Sequence, residues 1–105
     1  EVLMYIENNF SEEITLEMLS KRFKVDPFNL SKAFNSVTGK NLRTYINTLR
    51  VAKAQSLIQT TNQPIINIAF ECGFNSIRSF NRAYKKLTGQ SPSATRREGS
   101  QKRQK

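Results

Sequence analysis

Basic and amide side chains recur at helical spacing within residues 73–92, GFNSIRSFNRAYKKLTGQSP, a stretch with four bases and no acid. At about 100° per residue, one face of a helix in this stretch holds Arg78, Asn81, Arg82 and Lys85. Arg and Lys can donate hydrogen bonds to guanine, and an Asn amide can pair with adenine. The face therefore has the chemistry to contact bases and phosphates, and an ordinary solvated helix surface is the alternative.

The opposite face of the same helix is apolar and consists of Phe80, Ala83, Tyr84 and Leu87. We expect these four residues to form part of a core that holds the polar face in place. Ser76 can cap the start of this helix, and Gly89 can end it.

A shift of 50 residues aligns NLSKAFNSVTG (29–39) with SFNRAYKKLTG (79–89). Asp26 aligns with Ser76 as a helix cap, and the Thr-Gly pairs align at the other end. The core face of the first copy is then Leu30, Ala33, Phe34 and Val37, and its outward face is Phe28, Ser31, Lys32 and Asn35. Phe28 can lie against a thymine methyl group or pack onto its own domain, and residue type alone favours neither.

Apolar residues spaced three and four apart predict an all-α protein of about seven helices. The repeat predicts two helix-turn-helix subdomains joined by a long central helix. The expected ranges are a tandem domain over 1–97, a first unit over about 11–39, a linker helix over about 42–59, a second unit over about 64–89 and a flexible basic tail over 98–105. The second helix of each unit is expected at about 27–38 and 77–88.

The apolar positions also predict which helix faces are buried. In the second helix of the chain these are Leu16, Leu19 and Phe23; in the linker helix they are Tyr45, Leu49, Ala52 or Ala54, Leu57 and Ile58. Gly73 is expected to supply the positive φ of the second turn. Its counterpart by the 50-residue offset is Phe23, so the two turns need not be identical.

The charge is distributed unevenly along the chain. The sequence has 17 Lys and Arg, 8 Asp and Glu, and a net charge of +9. Residues 1–50 hold seven bases and six acids, and residues 51–105 hold ten bases and two acids. Such a basic surface favours nucleic acid or an anionic membrane as partner. No apolar run reaches the roughly 18 residues of a membrane span, so we expect no membrane insertion.

The residue types argue against an enzyme. The sequence has no histidine, one cysteine and four glycines, with no phosphate-binding glycine loop. We therefore expect no catalytic residues, no metal site and no cofactor. Cys72 is interpreted as a small buried hydrophobe, and a single cysteine favours a cytoplasmic location. Since the chain starts at Glu1, we expect it to be a piece of a longer protein.

The segments LSKAFNSVTG, YINTLRVAKAQSLI and IAFECGFNSIRSFNRAYKKLTGQSP resemble the signature of the DNA-binding domain of AraC/XylS-family bacterial transcription regulators. The resemblance covers about residues 3–97. It implies double-stranded DNA as partner, with the two second helices in adjacent major grooves. It also implies a sensing or dimerising domain elsewhere in the full-length chain, with RNA polymerase as a further partner. The chain departs from the family pattern at Ser79 and Thr95, where the family often has aromatic residues.

The outward helix faces and the family resemblance together indicate the contact residues. The expected base contacts are Phe28, Ser31, Lys32, Ile77, Arg78, Asn81 and Arg82, of which Ile77 rests on the resemblance alone. The expected backbone contacts are Asn35, Ser79, Lys85 and Lys86. A linker helix of roughly 27 Å suits two grooves about 34 Å apart. Sequence-specific DNA binding is the favoured function, and a basic helical module that binds an acidic protein or an anionic surface is the alternative.

Overall fold

The computed structural model describes residues 1–103, with side chains through residue 98. This part of the chain contains seven α-helices and no strand, which confirms the predicted all-α fold. The helices are α1 (Val2–Asn9), α2 (Leu16–Phe23), α3 (Pro27–Thr38), α4 (Leu42–Thr60), α5 (Ile65–Glu71), α6 (Ile77–Thr88) and α7 (Pro92–Arg103).

Residues Glu1–Leu49 form one compact unit, called unit 1. Its buried core draws residues from α1, α2, α3 and the start of α4: Ile6, Leu19, Leu30, Phe34 and Ile46. The rings of Phe34 and Tyr45 meet edge to face with centroids 5.2 Å apart, a favoured arrangement for aromatic pairs. The first helix-turn-helix, α2 and α3, therefore has a core of its own.

Residues Arg50–Lys105 form the second compact unit, called unit 2. Its buried core is Val51, Ala54, Ile58, Ile68, Ala69, Cys72, Phe74, Phe80 and Tyr84. The Phe80 ring lies 5.3 Å from that of Phe74 and 5.5 Å from that of Tyr84, centroid to centroid. Burial raises the pKa of the Cys72 thiol, which agrees with its interpretation as a small hydrophobe.

The turn between α2 and α3 contains the one non-glycine residue with positive φ in the described chain, Lys24, at φ 56°. Its backbone is left-handed, and the N–H of the next residue, Val25, donates to the Ser20 carbonyl over 3.1 Å. Asp26 follows at once and caps α3.

The turn between α5 and α6 has five residues, two more than the turn between α2 and α3. Gly73 has φ 108°, as predicted, and the Phe74 N–H donates to the Ala69 carbonyl over 3.0 Å. Asn75 then intervenes before the cap Ser76. In the first turn the positive φ belongs to Lys24, one residue after Phe23, which is the counterpart of Gly73 by the 50-residue offset. The two turns therefore differ.

The apolar faces of α3 and α6 are narrower than predicted. Leu30, Phe34, Phe80 and Tyr84 are buried and Ala83 packs against the core of unit 2. The core assignment is wrong for the three remaining positions: Ala33 is exposed, Val37 is 72% exposed and Leu87 is 39% exposed.

Ala33 lies about 100° from Phe34 around the helix, at the edge of the apolar face. Val37 and Leu87 lie in the last turns of α3 and α6, one position before the helices end at Thr38 and Thr88. Helical periodicity gives the direction of such side chains and not whether a neighbouring element covers them.

The long helix α4 has its buried positions shifted from those predicted. Ala54 and Ile58 are buried and Ala52 is exposed, while Ile46 and Val51 are buried without having been predicted. Val51 lies one position before the exposed Ala52, and α4 passes from the core of unit 1 to that of unit 2. One continuous apolar stripe therefore does not describe this helix.

Helix α7 runs from Pro92 to Arg103. The proposed tail over 98–105 thus overlaps this helix, and its residues 104 and 105 lie outside the described residues.

Candidate nucleic-acid interface

Helix α3 is held at both ends by local hydrogen bonds. The Asp26 carboxylate accepts from the Asn29 N–H over 3.1 Å, and Pro27 occupies the first turn, where no N–H is required. Gly39 ends the helix at φ 73°. A Cβ there would meet no atom within 4 Å, so glycine is favoured by its backbone conformation and not by crowding.

The outward face of α3 is exposed along most of its length. Phe28 is 68% exposed, which excludes the reading that it packs into its own domain. The Lys32 ammonium lies 5.4 Å from the centroid of the Phe28 ring, within cation–π range. Ser31 is half-buried, and the exposed Asn35 amide donates to the Ser31 carbonyl over 3.5 Å. The four predicted positions therefore lie on one surface, on which the Phe28 ring and the Lys32 ammonium lie close together.

Helix α6 presents a more strongly charged face. The Ser76 hydroxyl caps it by accepting from the Ser79 N–H over 3.1 Å. Along the helix, five long polar side chains are exposed: Arg78, Asn81, Arg82, Lys85 and Lys86. Lys85 and Lys86 lie in the last turn, where cations interact favourably with the helix dipole.

Two other predicted contact residues of α6 have partners within the chain. Ile77 is half-buried and packs against the core of unit 2, so only part of its side chain faces solvent. The Ser79 hydroxyl is exposed and accepts from the Ser76 hydroxyl over 3.1 Å. The Ser79 hydroxyl therefore already has a hydrogen-bond partner in the capping residue Ser76.

The repeated Thr-Gly pair ends both helices in the same way. The Thr38 hydroxyl donates to the Phe34 carbonyl over 2.8 Å and accepts from the Lys40 N–H over 3.1 Å. The Thr88 hydroxyl does the same with the Tyr84 carbonyl, over 2.8 Å, and the Gln90 N–H, over 3.2 Å. These hydrogen bonds provide partners for backbone carbonyl groups that have no partner within the last turn of a helix, and for the N–H groups that follow it.

A chain of hydrogen bonds connects α6 to α7 and runs from the interior to the surface. The Tyr84 hydroxyl donates to Thr95 Oγ1 over 2.9 Å, and the Thr95 hydroxyl donates to Gln90 Oε1 over 3.0 Å. The Gln90 amide in turn donates to Glu98 Oε2 over 2.8 Å. Thr95, which stands where the family often has an aromatic ring, is 3% exposed. The Thr95 hydroxyl oxygen thus gives the buried Tyr84 hydroxyl an acceptor for its hydrogen bond.

Arg96 connects α7 to the end of α4. Its guanidinium donates to three backbone carbonyls: that of Ile58 over 3.3 Å, that of Thr61 over 3.1 Å and that of Gln63 over 2.6 Å. Sequence reasoning missed Thr95 and Arg96 as positioning residues. The repeat carried no signal for them, because both follow its second copy.

The described residues exclude some other kinds of site. No helix among them combines the length and the apolar character needed to cross a membrane. None of their His, Cys, Asp and Glu side chains form a group of three that could hold a metal ion.

Comparison with known protein families shows which family contains this pair of helix-turn-helix units. A model described as a helix-turn-helix domain matches residues 19–98. A crystal structure of a transcriptional regulator from Chromobacterium violaceum, described as containing an AraC-type DNA-binding domain, is similar over 96% of this chain and 90% of its own, with a TM-score of 0.85 and 26% identity. The chain belongs to the AraC/XylS family.

Two further comparisons agree with this assignment. The AraC/XylS-family domain is 35% identical over 85 residues to the HTH-type transcriptional activator RhaS of Mannheimia succiniciproducens, which covers 81% of this chain and 32% of RhaS. The DNA-binding domain of the global transcriptional factor AdpA, crystallised with a target DNA, has a TM-score of 0.91 and 26% identity over 99% of this chain and 94% of that one.

Membership of this family confirms several of the predictions made from the sequence. The predicted all-α fold with two helix-turn-helix units and the predicted sequence-specific DNA binding agree with these relatives. The matched family is one of DNA-binding domains and not of enzymes. An acidic protein or anionic surface as the main partner is not favoured. The chain spans about a third of the length of RhaS.

Proposed function

We propose that this domain regulates bacterial transcription by inserting α3 and α6 into the major grooves of a specific duplex DNA site. The observation that carries this proposal is the pair of acid-free, exposed faces on the second helices of two helix-turn-helix units. Each face lies opposite buried residues of its own unit, Leu30 and Phe34 in α3 and Phe80 and Tyr84 in α6.

Base reading is assigned to the outward side chains nearest the start of each helix, because these enter the groove first in helix-turn-helix docking. In α3 they are Phe28, Ser31 and Lys32, and in α6 they are Ile77, Arg78, Asn81 and Arg82. Arginine recognises guanine through two parallel hydrogen bonds, Asn recognises adenine, and an apolar side chain contacts the thymine methyl. The exposure of Phe28, Lys32, Arg78, Asn81 and Arg82 supports this assignment.

Phosphate contacts are assigned to Asn35, Ser79, Lys85 and Lys86. Phosphate contacts set the register and orientation of a protein on DNA without reading sequence. Three of these residues lie later in their helices than the base-reading set, and all four are exposed.

The full-length protein is proposed to act in the cytoplasm, with a sensing or dimerising domain joined to this one and RNA polymerase as a further partner. The length of relatives such as RhaS, of which this chain matches about a third, supports the further domain, and the description of RhaS as a transcriptional activator supports RNA polymerase as a partner.

The proposal is tested by selecting bound duplexes from a random pool with the 105-residue chain at a stated salt concentration near 0.15 M. Two enriched motifs about one helical turn apart, 10–10.5 base pairs, are expected. A single short motif would mean that one unit alone reads bases. Recovery of unenriched DNA would overturn sequence-specific binding.

A further inference from the structure

We infer that the two units divide the work of DNA binding: unit 2 holds duplex DNA of any sequence, and unit 1 adds affinity only where its helix meets matching bases. This inference rests on the proposed function. It concerns which unit supplies the electrostatic part of the affinity.

The division follows first from charge. Unit 1, Glu1–Leu49, contains six bases and six acids and is formally neutral. Unit 2, Arg50–Lys105, contains eleven bases and two acids and therefore holds the entire net charge of +9. Binding that depends on neutralised phosphates releases counterions and gives most of the sequence-independent affinity. That part of the affinity therefore belongs to unit 2.

The repeat shows the same division position by position. At the 50-residue offset, Phe28 in α3 corresponds to Arg78 in α6, and Ser31 corresponds to Asn81. The Asn35-Ser36 pair of α3 corresponds to the Lys85-Lys86 pair of α6, and all four side chains are exposed. Only position 32, matched by Arg82, is basic in both helices. The two helices share their caps and buried anchors, so their difference lies in the surface that faces outward.

The single base of α3 is also placed differently from those of α6. The Lys32 ammonium lies over the exposed Phe28 ring, so this surface presents a ring and one cation. A phenyl ring has no attraction for a phosphate. It gains free energy against a thymine methyl or another apolar edge, and that gain depends on the base present. Unit 1 therefore contributes when the sequence matches and contributes little when it does not.

The corresponding positions allow a reciprocal exchange as a test. Lys85→Asn with Lys86→Ser gives α6 the residues of α3, and Asn35→Lys with Ser36→Lys gives α3 those of α6. Binding of the 105-residue chain is measured by fluorescence anisotropy between 50 and 200 mM salt, on the selected duplex and on a scrambled duplex of equal length. All four positions are exposed, and thermal melts verify that each variant is folded.

For the α6 exchange, the slope of log K against log salt should become shallower by about 1.8 on both duplexes, at about 0.9 per lost phosphate contact. Over this fourfold range of salt, such a change reduces the salt-induced loss of affinity by about 12-fold. The ratio of the affinities for the two duplexes should stay unchanged. Phe28→Ala should instead lower this ratio at least tenfold and leave both slopes as they are.

The α3 exchange should steepen the slope on the selected duplex only, because unit 1 engages DNA only at matching bases. An equal steepening on the scrambled duplex would show that unit 1 is docked on any sequence, and would overturn the division. So would unchanged slopes for the α6 exchange. If the wild-type chain bound both duplexes equally, the proposed function itself would fail, which is a separate result.

Discussion

The Tyr84 hydroxyl donates a 2.9 Å hydrogen bond to Thr95 Oγ1 within the interior of unit 2. Thr95→Val keeps the side-chain shape but leaves the Tyr84 hydroxyl without this acceptor, which should lower the free energy of unfolding by about 1–3 kcal/mol. Urea unfolding followed by circular dichroism measures this loss. Adding Tyr84→Phe to the valine variant should restore part of it, because both polar partners are then absent. Equal stability of Thr95→Val and wild type would contradict the role of this bond.

The alkaline limit of stability should depend on Tyr84. Burial raises the pKa of this phenol, and the hydrogen bond to Thr95 acts in the opposite direction. Since the folded pKa lies above the unfolded one, the neutral phenol stabilises the fold fully below about pH 10. This contribution is lost as the pH rises through the folded pKa. The free energy of unfolding should therefore decline above about pH 10, and less steeply in Tyr84→Phe. Cys72, whose pKa burial also raises, is present in both proteins, so the difference between the two pH profiles reports Tyr84 alone.

Removal of the Arg96 guanidinium should destabilise the chain by about 1.5–3 kcal/mol, since hydrogen bonds to charged groups contribute about that much. Arg96→Ala leaves the carbonyls of Ile58, Thr61 and Gln63 without these donors. Arg96→Lys should recover less than half of the loss, because an ammonium cannot reproduce the planar fork of donors. The exposed neighbour Arg97 is the matched control, and Arg97→Ala should change the urea midpoint little. Equal midpoints for the Arg96 and Arg97 variants would mean that these bonds do not stabilise the fold.

Two apolar residues of α3 should respond oppositely to truncation. Phe34 is buried against the Tyr45 ring, so Phe34→Ala should cost about 3–5 kcal/mol through the cavity it leaves. Val37, one turn later, is 72% exposed, and Val37→Ala should change stability by less than about 0.5 kcal/mol. Thermal melts of the two variants measure the contrast. A large loss of stability in Val37→Ala would show that Val37 packs in the core after all.

Arg82 should act on one base pair of the selected site. Arg82→Ala is expected to cost about 1–3 kcal/mol on that site and to relax the preference at one position, as for a bidentate contact to guanine. Anisotropy titrations against duplexes changed one base pair at a time measure both effects. Arg82→Lys keeps the charge and loses the fork of donors, so it should also relax the preference. Uniform weakening on all duplexes would assign Arg82 to a phosphate.

Much of the fold was predictable because its signals are local. The caps Thr15, Asp26 and Ser76 each accept from an N–H three residues onward, and residue type is sufficient to indicate them. The bounds of α3 and α6 agree with the prediction to the residue. Of the predicted contact residues, Phe28 and the long polar side chains of α6 are exposed as expected. Helical periodicity placed Ser31 on the outward side, but Ser31 is half-buried, because periodicity gives the direction of a side chain and not how far its neighbours cover it. Ile77, which was selected by the family resemblance alone, is half-buried and packs against the core of unit 2.

The sequence alone determined the family, the duplicated helix-turn-helix plan and the acid-free faces, because helix periodicity, capping and a 50-residue repeat are all encoded within short segments. Tertiary structure decided which apolar residues those helices bury. Val37 and Leu87 lie on the apolar sides of their helices but are exposed, because burial depends on whether another element covers a side chain. Tertiary structure also decided how α7 is held within unit 2. Arg96 bonds carbonyls 33 to 38 residues away, and Thr95 meets Tyr84 across two helices. Such partners are set by packing between distant elements, which no local pattern specifies.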